Sequence, residues 1–163
     1  MVGSLIITDA TEADFPQIQK IYAHYVEHTT ISLEETAPDV DELIKRWKNS
    51  FIFLVAKING EIAGYAYAFP YRPRSSYRFT VEESVYVSPN FHGQGIGRKL
   101  LEELIKQCSA KGYKQMLAVI ADNDNSTSIN FHSKLGFKTA GKLEKFGYKF
   151  DKWIDTILMQ REL

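Results

Sequence analysis

Closely spaced glycines mark the part of the sequence with the clearest chemical potential. A β-type segment ending near Val87 is followed by a glycine-rich run and then by a helical pattern, the glycines being Gly93, Gly95 and Gly97. Glycine lets the backbone approach a ligand closely, and the free N–H groups at the start of a helix favour an anion. Arg98 and Lys99 place cations at the same rim. The run therefore predicts a pyrophosphate-binding site, with a tight surface loop before a helix as the alternative.

The spacing of these glycines excludes two common nucleotide-binding motifs. A nucleoside-triphosphate loop requires a Gly-Lys-Ser or Gly-Lys-Thr triplet, and the sequence contains neither. A dinucleotide fingerprint starting at Gly93 requires a third glycine at position 98, where the chain has Arg98. The third glycine comes one residue early, as Gly97. The anion held here is therefore predicted to belong to another class of ligand.

Three titratable side chains are candidates for proton transfer. Glu82 and Glu83 are adjacent on the β-type segment before the glycines, and His132 lies on a later helical pattern. A carboxylate can deprotonate an ammonium, the main form of an amine near neutral pH, and so generate a nucleophile. Adjacent side chains of a strand point to opposite faces, so only one of the two glutamates can face a given site. Surface positions for both glutamates and a structural role for the histidine are the alternatives.

Composition limits the classes of function. Twenty basic residues balance twenty acidic ones, so no overall positive field is expected to attract nucleic acid or an anionic membrane. The single cysteine, Cys108, cannot form an internal disulfide, and no Cys-x-x-Cys pair is present to bind zinc, so we expect no metal. No signal-peptide pattern occurs, and no apolar run approaches the roughly 20 residues of a membrane-spanning helix. We expect one soluble, cytoplasmic domain over residues 1–163.

The predicted secondary structure alternates strands and helices around a central sheet. Thr11 and Asp14 resemble a capping box, Asn59-Gly60 is typical of a tight hairpin, and the apolar residues after Gly95 recur at helical spacing. The predicted strands are 5–8, 51–58, 61–69, 81–87, 115–120 and 154–160, and the predicted helices begin near Thr11, after Asp39, at Gly95 and at Ser126. This order predicts an α/β domain with a mixed sheet.

Two segments resemble the signatures of the GNAT superfamily of N-acetyltransferases. His92-Gly93-Gln94-Gly95-Ile96-Gly97 is similar to the family's pyrophosphate loop, Gln/Arg-x-x-Gly-x-Gly/Ala, with His92 departing at the first position. The segment from Asn125 through Ser128 to Phe137 resembles the family's Asn…Tyr-Glu-Lys-Leu-Gly-Phe stretch. The resemblance implies acetyl-coenzyme A as cosubstrate and a mixed, mostly antiparallel sheet flanked by helices on both faces. The coenzyme contacts that it implies are Val85, Tyr86, Val87, His92, Gly93, Gln94, Gly95, Ile96, Gly97, Arg98, Lys99, Asn125 and Ser128.

Over nearly its full length the chain resembles the phosphinothricin and methionine sulfone or sulfoximine N-acetyltransferases. The matching segments include residues 71–74, 84–89 and 147–153. The resemblance implies an amino-acid-like acceptor, Glu82 as general base, and a homodimer. It also implies that His132 protonates the departing thiolate or orients the substrate. A backbone N–H near Tyr86 or Val87 is implied as the donor to the oxyanion.

The resemblance also implies which residues bind the acceptor. Arg72, Arg74 and Tyr77 stand where the family binds the acidic end of its substrate, and arginine suits a carboxylate or phosphinate. Leu33 replaces an aromatic of the resistance enzymes, and Arg72 replaces a lysine found in some of them. Acetylation of a protein N-terminus or of another amine, and a silent acetyl-coenzyme A sensor, are the rival functions. The two arginines would repel a polyamine, and a sensor would need neither Glu82 nor His132.

Overall fold

A seven-stranded sheet organises the part of the chain that the computed structural model describes, residues 3–122 and 126–163. The strands are β1 Leu5–Asp9, β2 Ile52–Ile58, β3 Glu61–Pro70, β4 Thr80–Val87, β5 Gln115–Asp122, β6 Lys138–Lys149 and β7 Lys152–Glu162. Their order in the sheet is β1-β2-β3-β4-β5-β7-β6. Among the described strands, β4 and β5 pair in parallel and the other neighbours pair antiparallel. The predicted mixed, mostly antiparallel sheet is confirmed.

Helices cover both faces of this sheet, as predicted. In the described part of the chain they are α1 Phe15–His28, α2 Val40–Lys48, α3 Ile96–Ala110 and α4 Ser126–Lys134. The predicted capping box precedes α1, where the Thr11 N–H donates to Asp14 Oδ2 at 2.8 Å. The α2 start is fixed by Asp39, whose Oδ1 accepts from the Glu42 N–H at 2.8 Å. Both caps satisfy backbone N–H groups that a helix start otherwise leaves unpaired.

Two hydrophobic cores lie on opposite faces of the sheet. On one face α1 packs Phe15, Ile18 and Tyr22 against β2 and β3. On the other face α3 packs its apolar stripe against β2, β3 and β4. Cys108 is fully buried in this second core, and burial raises the pKa of its thiol to about 12. The spacing of apolar residues after Gly95 therefore predicted the buried face of α3 correctly.

The β2–β3 hairpin turns where the sequence predicts. Asn59 and Gly60 have φ angles of 52° and 80°. Both central residues of a type I′ turn need positive φ, which Asn-Gly adopts at low cost. The turn brings β3 back beside β2 and so fixes the register that leads into β4.

Strand β6 is the element that the sequence pattern did not predict. It is an edge strand with mostly exposed side chains, rich in lysine and interrupted by Gly141 and Gly147. Such a strand lacks the buried alternation from which strands are recognised. It forms a hairpin with β7, which extends beyond the predicted strand at 154–160 to Lys152–Glu162. The described residues therefore form seven strands, one more than the six that the sequence predicts.

The β6–β7 hairpin is joined to the end of α1 by a buried lysine. The Lys149 ammonium donates to the carbonyl oxygens of Val26 and Ser32, each at 2.6 Å. A carbon added at Gly147 would lie 2.9 Å from Leu33 Cδ1, so the hairpin and the loop after α1 are closely packed. These contacts fix the loop that carries Ile31 and Leu33 beside the sheet.

The parallel strands β4 and β5 separate partway along their length. Their pairing in the described residues covers Thr80–Glu83 against Gln115–Ala118. Beyond it, β4 runs on to Val87 while β5 pairs with β7 as far as Asp122. A gap therefore opens in the middle of the sheet after Glu83.

Candidate active site

The gap between β4 and β5 is the centre of the candidate site. A small cavity of about 70 Å³ occupies it, lined by parts of β4, β5 and α4. A groove of about 550 Å³ continues from it along the glycine loop and the start of α3. The residues lining both spaces are Ile31, Val85, Tyr86, Ser128 and His132. The combined space is of the size that small-molecule ligands occupy.

The glycine loop has the backbone geometry that an anion cradle requires. Gly93 and Gly95 have φ angles of 79° and 74°, in the left-handed region that favours glycine. Gly95 is the N-cap residue of α3, so the loop leads directly into the N-terminus of that helix. A carbon added at Gly97 would lie 3.3 Å from Val87 Cγ2 and 3.6 Å from Phe131 Cζ. The loop and the groove thus fit a pyrophosphate-bearing ligand.

Cations and amides surround this loop. Arg98 forms an ion pair with Glu102 of the same helix, from Nε to Oε1 at 2.8 Å. Gln94 and Lys99 are exposed at the rim. Ile96 is buried and anchors the helix start in the core. Ser128 lines the groove, whereas Asn125 lies outside the described residues.

His92 ties the loop to the end of β4. Its Nε2 lies 3.0 Å from the Tyr25 hydroxyl and 3.2 Å from the carbonyl oxygen of Val87. The Tyr25 hydroxyl also donates to that carbonyl. The side chain that departs from the family pattern therefore contacts the protein itself. Tyr25 is one of the buried residues spaced along the apolar face of α1, and nothing in that spacing indicates its contact with His92.

His132 is held by acceptors at both ring nitrogens. Its Nδ1 lies 2.8 Å from the Ser128 carbonyl oxygen, and its Nε2 forms a hydrogen bond with Oε1 of Glu83. Both groups are buried. Burial alone would lower the pKa of His132, but the hydrogen bond and negative charge of Glu83, with the Ser128 carbonyl, outweigh burial and raise it. The arrangement favours an imidazolium.

Glu82 and Glu83 point to opposite faces of β4. Glu83 lines the gap on the α4 side together with His132. Glu82 shares the other face with Tyr86, whose ring lies 5.2 Å from that of Tyr22 on α1. Burial raises the pKa of Glu82, the negative charge of Glu83 adds to the rise, and the charge of Arg72 opposes it. The histidine's carboxylate partner is therefore the neighbour of the predicted base.

Backbone alternation identifies the N–H groups that face the gap. The Phe79 carbonyl accepts from Lys114 at 2.8 Å on the β5 side, and the Ser88 N–H donates to Ala63 of β3 at 2.8 Å. Backbone groups of a strand alternate in direction, so the odd-numbered residues of β4 present theirs to β5. Past the last paired residue, the N–H groups of Val85 and Val87 consequently face the gap. The amide of Tyr86 points towards β3.

The predicted acceptor-binding residues lie on the segment between β3 and β4. Arg72, Arg74 and Tyr77 are exposed there. The Arg72 guanidinium lies 5.1 Å from the centre of the Tyr71 ring, and the Tyr77 N–H donates to the Arg74 carbonyl at 3.0 Å. Leu33 contacts the β6–β7 hairpin, whereas Ile31 of the same loop lines both cavities. Ile31 was not predicted, because an isolated loop residue shows no pattern.

Two classes of feature are absent from the described residues. Across 3–122 and 126–163, no three His, Cys, Asp or Glu side chains are grouped so as to hold a metal ion. Within the same ranges, no helix has both the length and the apolar character needed to cross a membrane.

The sheet splits between its two parallel strands, and the glycine loop lies at the mouth of the split. The model of the Acetyltransferase (GNAT) family matches residues 17–137, and the chain belongs to this family. Its membership agrees with the two signature segments, of which the glycine loop lies wholly within the described residues.

Relatives of known description share almost the whole chain. A phosphinothricin N-acetyltransferase of Alcaligenes faecalis is 47% identical over 154 residues, covering 92% of this chain and 78% of its own length. An L-methionine sulfoximine/L-methionine sulfone acetyltransferase of Pseudomonas aeruginosa is 38% identical over 165 residues, covering 98% of this chain and 95% of its own length. A Sinorhizobium meliloti phosphinothricin acetyltransferase solved in complex with AcCoA superimposes with a TM-score of 0.93 at 40% identity, with 98% and 88% covered.

Proposed function

We propose that the protein transfers the acetyl group of acetyl-coenzyme A to the α-amino group of a small amino-acid-like acceptor. The acceptor class is that of phosphinothricin, methionine sulfoximine and methionine sulfone, the compounds named for the relatives. The observation that carries the proposal is the gap between β4 and β5, because it opens into the groove beside the glycine loop. Of the two carboxylates of β4, Glu83 lines the gap, and Glu82 lies just before it on the opposite face of the strand.

The residues of the groove fit the coenzyme. The loop of Gly93, Gly95 and Gly97, with Arg98 and Lys99 at its rim, would hold the pyrophosphate. The N–H groups of Val85 and Val87 would meet the part of the coenzyme that enters the gap. One of them would face the thioester oxygen, where negative charge develops during acyl transfer. Acetyl-coenzyme A supplies the acetyl group as a thioester, which an uncharged amine can attack.

Glu82 is the proposed general base, reached from the α1 face of the sheet. Its raised pKa makes the carboxylate a stronger proton acceptor than an ordinary glutamate. The carboxylate first takes one proton from the acceptor's ammonium, which frees the nitrogen lone pair to attack the thioester carbon. A second proton leaves the nitrogen for solvent once the carbon–nitrogen bond has formed. The carbon–sulfur bond breaks, and His132 on the opposite face supplies the proton that converts the thiolate to a thiol.

Arg72, Arg74 and Tyr77 are the proposed clamp for the acidic end of the acceptor. Guanidinium groups bind carboxylate or phosphinate oxygens through charge-assisted hydrogen bonds. Arg72 is near enough to Glu82 for its charge to affect the pKa of that carboxyl. A clamp at this position would hold the amino group of a short acceptor near the base.

An acceptor screen tests the proposal. Coenzyme thiol release would be followed with methionine sulfoximine, methionine sulfone, phosphinothricin, an alanine-initiated peptide and spermidine. We expect the highest kcat/KM among the first three compounds. A higher value with the peptide or spermidine would overturn the proposed acceptor class. Tight coenzyme binding without turnover of any acceptor would instead identify a silent sensor.

We also propose that the enzyme works in the cytoplasm as a homodimer. The unpaired Cys108 suits a reducing compartment. The β6–β7 hairpin exposes four aromatic side chains by half or more, namely Phe146, Tyr148, Phe150 and Trp153. Clustered exposed aromatics are typical of protein interfaces. Sedimentation equilibrium tests the assembly, and a monomer at micromolar concentration would contradict it.

A further inference from the structure

Glu83 is a buried carboxylate for which the acetyl transfer described above has no task. We propose that Glu83 is a positioning residue that holds His132 as an imidazolium at the wall of the gap, ready to protonate the departing thiolate. This inference rests on the proposed function, since it concerns the proton donor of that reaction.

The hydrogen bonds around the imidazole carry the inference. The Ser128 carbonyl at Nδ1 can only accept, so Nδ1 carries a proton. A carboxylate at Nε2 can likewise only accept, so the second nitrogen carries a proton as well. A neutral ring would turn a lone pair towards one of these oxygens. The charged ring satisfies both acceptors.

Packing fixes the ring in this orientation. Phe131 and Phe137 meet it edge to face, with ring centres 5.1 and 5.0 Å away. Because Nδ1 is bound within α4, the Nε2 proton is the one next to the gap. When it passes to sulfur, the N–H bond breaks and an S–H bond forms. The ring becomes neutral beside the Glu83 carboxylate and regains a proton from solvent.

Among the residues that the structure describes, the other titratable and charged groups around these cavities leave Glu83 as the counter-ion. From β4, Tyr86 also lines the gap, and burial raises the pKa of its phenol well above the usual range, so it remains neutral. The β5 wall is apolar, formed by Ala118, Val119, Ile120 and Ala121. Tyr25, His92 and Arg98 line the groove but not the smaller cavity in the gap.

The decisive variant is Glu83→Gln, which keeps the size of the side chain and removes its charge. An amide can donate to Nε2 and so stabilise the neutral ring. We expect kcat to fall on the order of 10²-fold, the lower end of what a positioned proton donor contributes. The basic limb of the kcat pH profile should move to lower pH, since the imidazolium loses its partner. Coenzyme affinity should stay within about twofold. Glu83→Asp, which retains the charge, should restore much of the turnover.

A spectroscopic measurement keeps the inference testable apart from turnover. The His132 ring nitrogens would be titrated by NMR in the coenzyme-free protein and assigned with His132→Asn. We expect the wild-type ring to stay doubly protonated at pH values above the ordinary titration range of histidine. Glu83→Gln should lower the pH at the midpoint of the His132 titration. Glu82→Gln, on the opposite face, should leave the midpoint nearly in place.

Two results would overturn the inference. A wild-type His132 that is neutral at pH 7 would remove the imidazolium, even if Glu83→Gln failed to fold. A Glu83→Gln variant that lowers the midpoint but retains wild-type kcat and pH profile would show a purely structural pair. If no acceptor is acetylated while the NMR midpoint is raised, the proposed function fails and the charged pair itself stands.

Discussion

Two neighbouring glutamates on one strand have different surroundings and therefore different expected tasks. Glu82 faces the α1 side near Arg72, and Glu83 faces α4, where it is bonded to His132. The alternation of a strand requires this division, because successive side chains leave opposite faces. Sequence pattern alone could state that the two point apart, but not which neighbours each would meet. His132 is 49 positions from Glu83, and no local pattern joins them.

Replacement of Glu82 by glutamine should remove the base while preserving its shape. We expect kcat to fall by about 10² to 10⁴ with coenzyme affinity unchanged. Because the pKa of Glu82 is raised, the acidic limb of the wild-type kcat/KM profile should lie above the ordinary carboxyl range. Steady-state kinetics across pH measure both effects. Retained turnover, or a loss explained by weaker coenzyme binding, would remove Glu82 from the role.

The acceptor clamp predicts a selective change in KM. Arg74→Ala should raise KM for methionine sulfoximine by roughly ten- to a hundredfold, since a hydrogen bond to a charged group contributes about 1.5 to 3 kcal/mol. Arg78 offers a matched control in the same segment, because its guanidinium stacks on Phe79 with 4.5 Å to the ring centre. Arg78→Ala should change KM little. An Arg74→Ala defect as large with the decarboxylated amine as with methionine sulfoximine would be incompatible with the clamp.

At the scale of elements, a glycine at each end of α3 allows the cost of backbone strain to be distinguished from a loss of coenzyme binding. Gly95 and Gly112 both have left-handed backbone, with φ of 74° and 92°, and an added carbon would meet nothing within 4 Å at either position. Alanine at each position should therefore cost a similar amount of stability, about 1 to 2 kcal/mol. The two positions lie at opposite ends of α3, and only the first borders the groove.

Gly95→Ala should accordingly weaken coenzyme A binding, whereas Gly112→Ala should not. The added methyl group would stand among the backbone N–H groups that are proposed to hold the pyrophosphate. Calorimetry with coenzyme A on both folded variants, beside their thermal unfolding, measures the contrast. Equal affinities of the two variants would reject the assignment of the loop.

Elements with strong local patterns were predicted well, and an edge strand was not. Helix α3 and the Asn59-Gly60 hairpin follow from apolar spacing and turn chemistry, which need only nearby residues. Strand β6 has exposed lysines and glycines and gains its order by pairing with β7. The same limit applies to the site. Ile31 and Tyr25 reach it only because the fold brings α1 and the loop after it beside β4.

At the scale of the whole molecule, the gap links two otherwise separate halves. One core lies under α1 and α2 and the other under α3, and the sheet divides them. In the described part of the chain, the separation of β4 and β5 is where a ligand on one face of the sheet can meet a ligand on the other. The amine is proposed to approach from the α1 face, and the coenzyme from the face of α3 and α4. The opening in the sheet is thus the place where both substrates can meet.

The stability of the whole molecule should depend on pH in a predictable direction. The pKa of His132 is higher in the folded protein than in the unfolded chain, where it is about 6.5. The resulting stability is fully present below pH 6.5 and is lost as the pH rises through the pKa of the folded state. The lowered pKa of Glu34, caused first by its hydrogen bonds from Arg46, contributes stability above about 4.5 that is lost on acidification.

The thermal unfolding temperature, measured between pH 4 and pH 9, should therefore fall towards both ends of this range. The fall towards the alkaline end should be absent in Glu83→Gln. The variant removes the charge that raises the histidine pKa, so the linkage on that side disappears. If the unfolding temperature of the variant fell at alkaline pH as in the wild type, that fall would belong to a titratable group other than His132.

Because Cys108 is buried, the folded protein should offer no reactive thiol of its own to thiol reagents. It is the single cysteine of the chain, it lies on the buried face of α3, and burial raises the pKa of its thiol to about 12. Disulfide reagents react with thiolates, so the folded enzyme should contribute almost no colour of its own to an assay that counts liberated coenzyme. A cysteine introduced at an exposed position such as Lys152 would then be the sole site for a fluorophore or spin label. Such a label could report motion of the β6–β7 hairpin without first removing a native thiol.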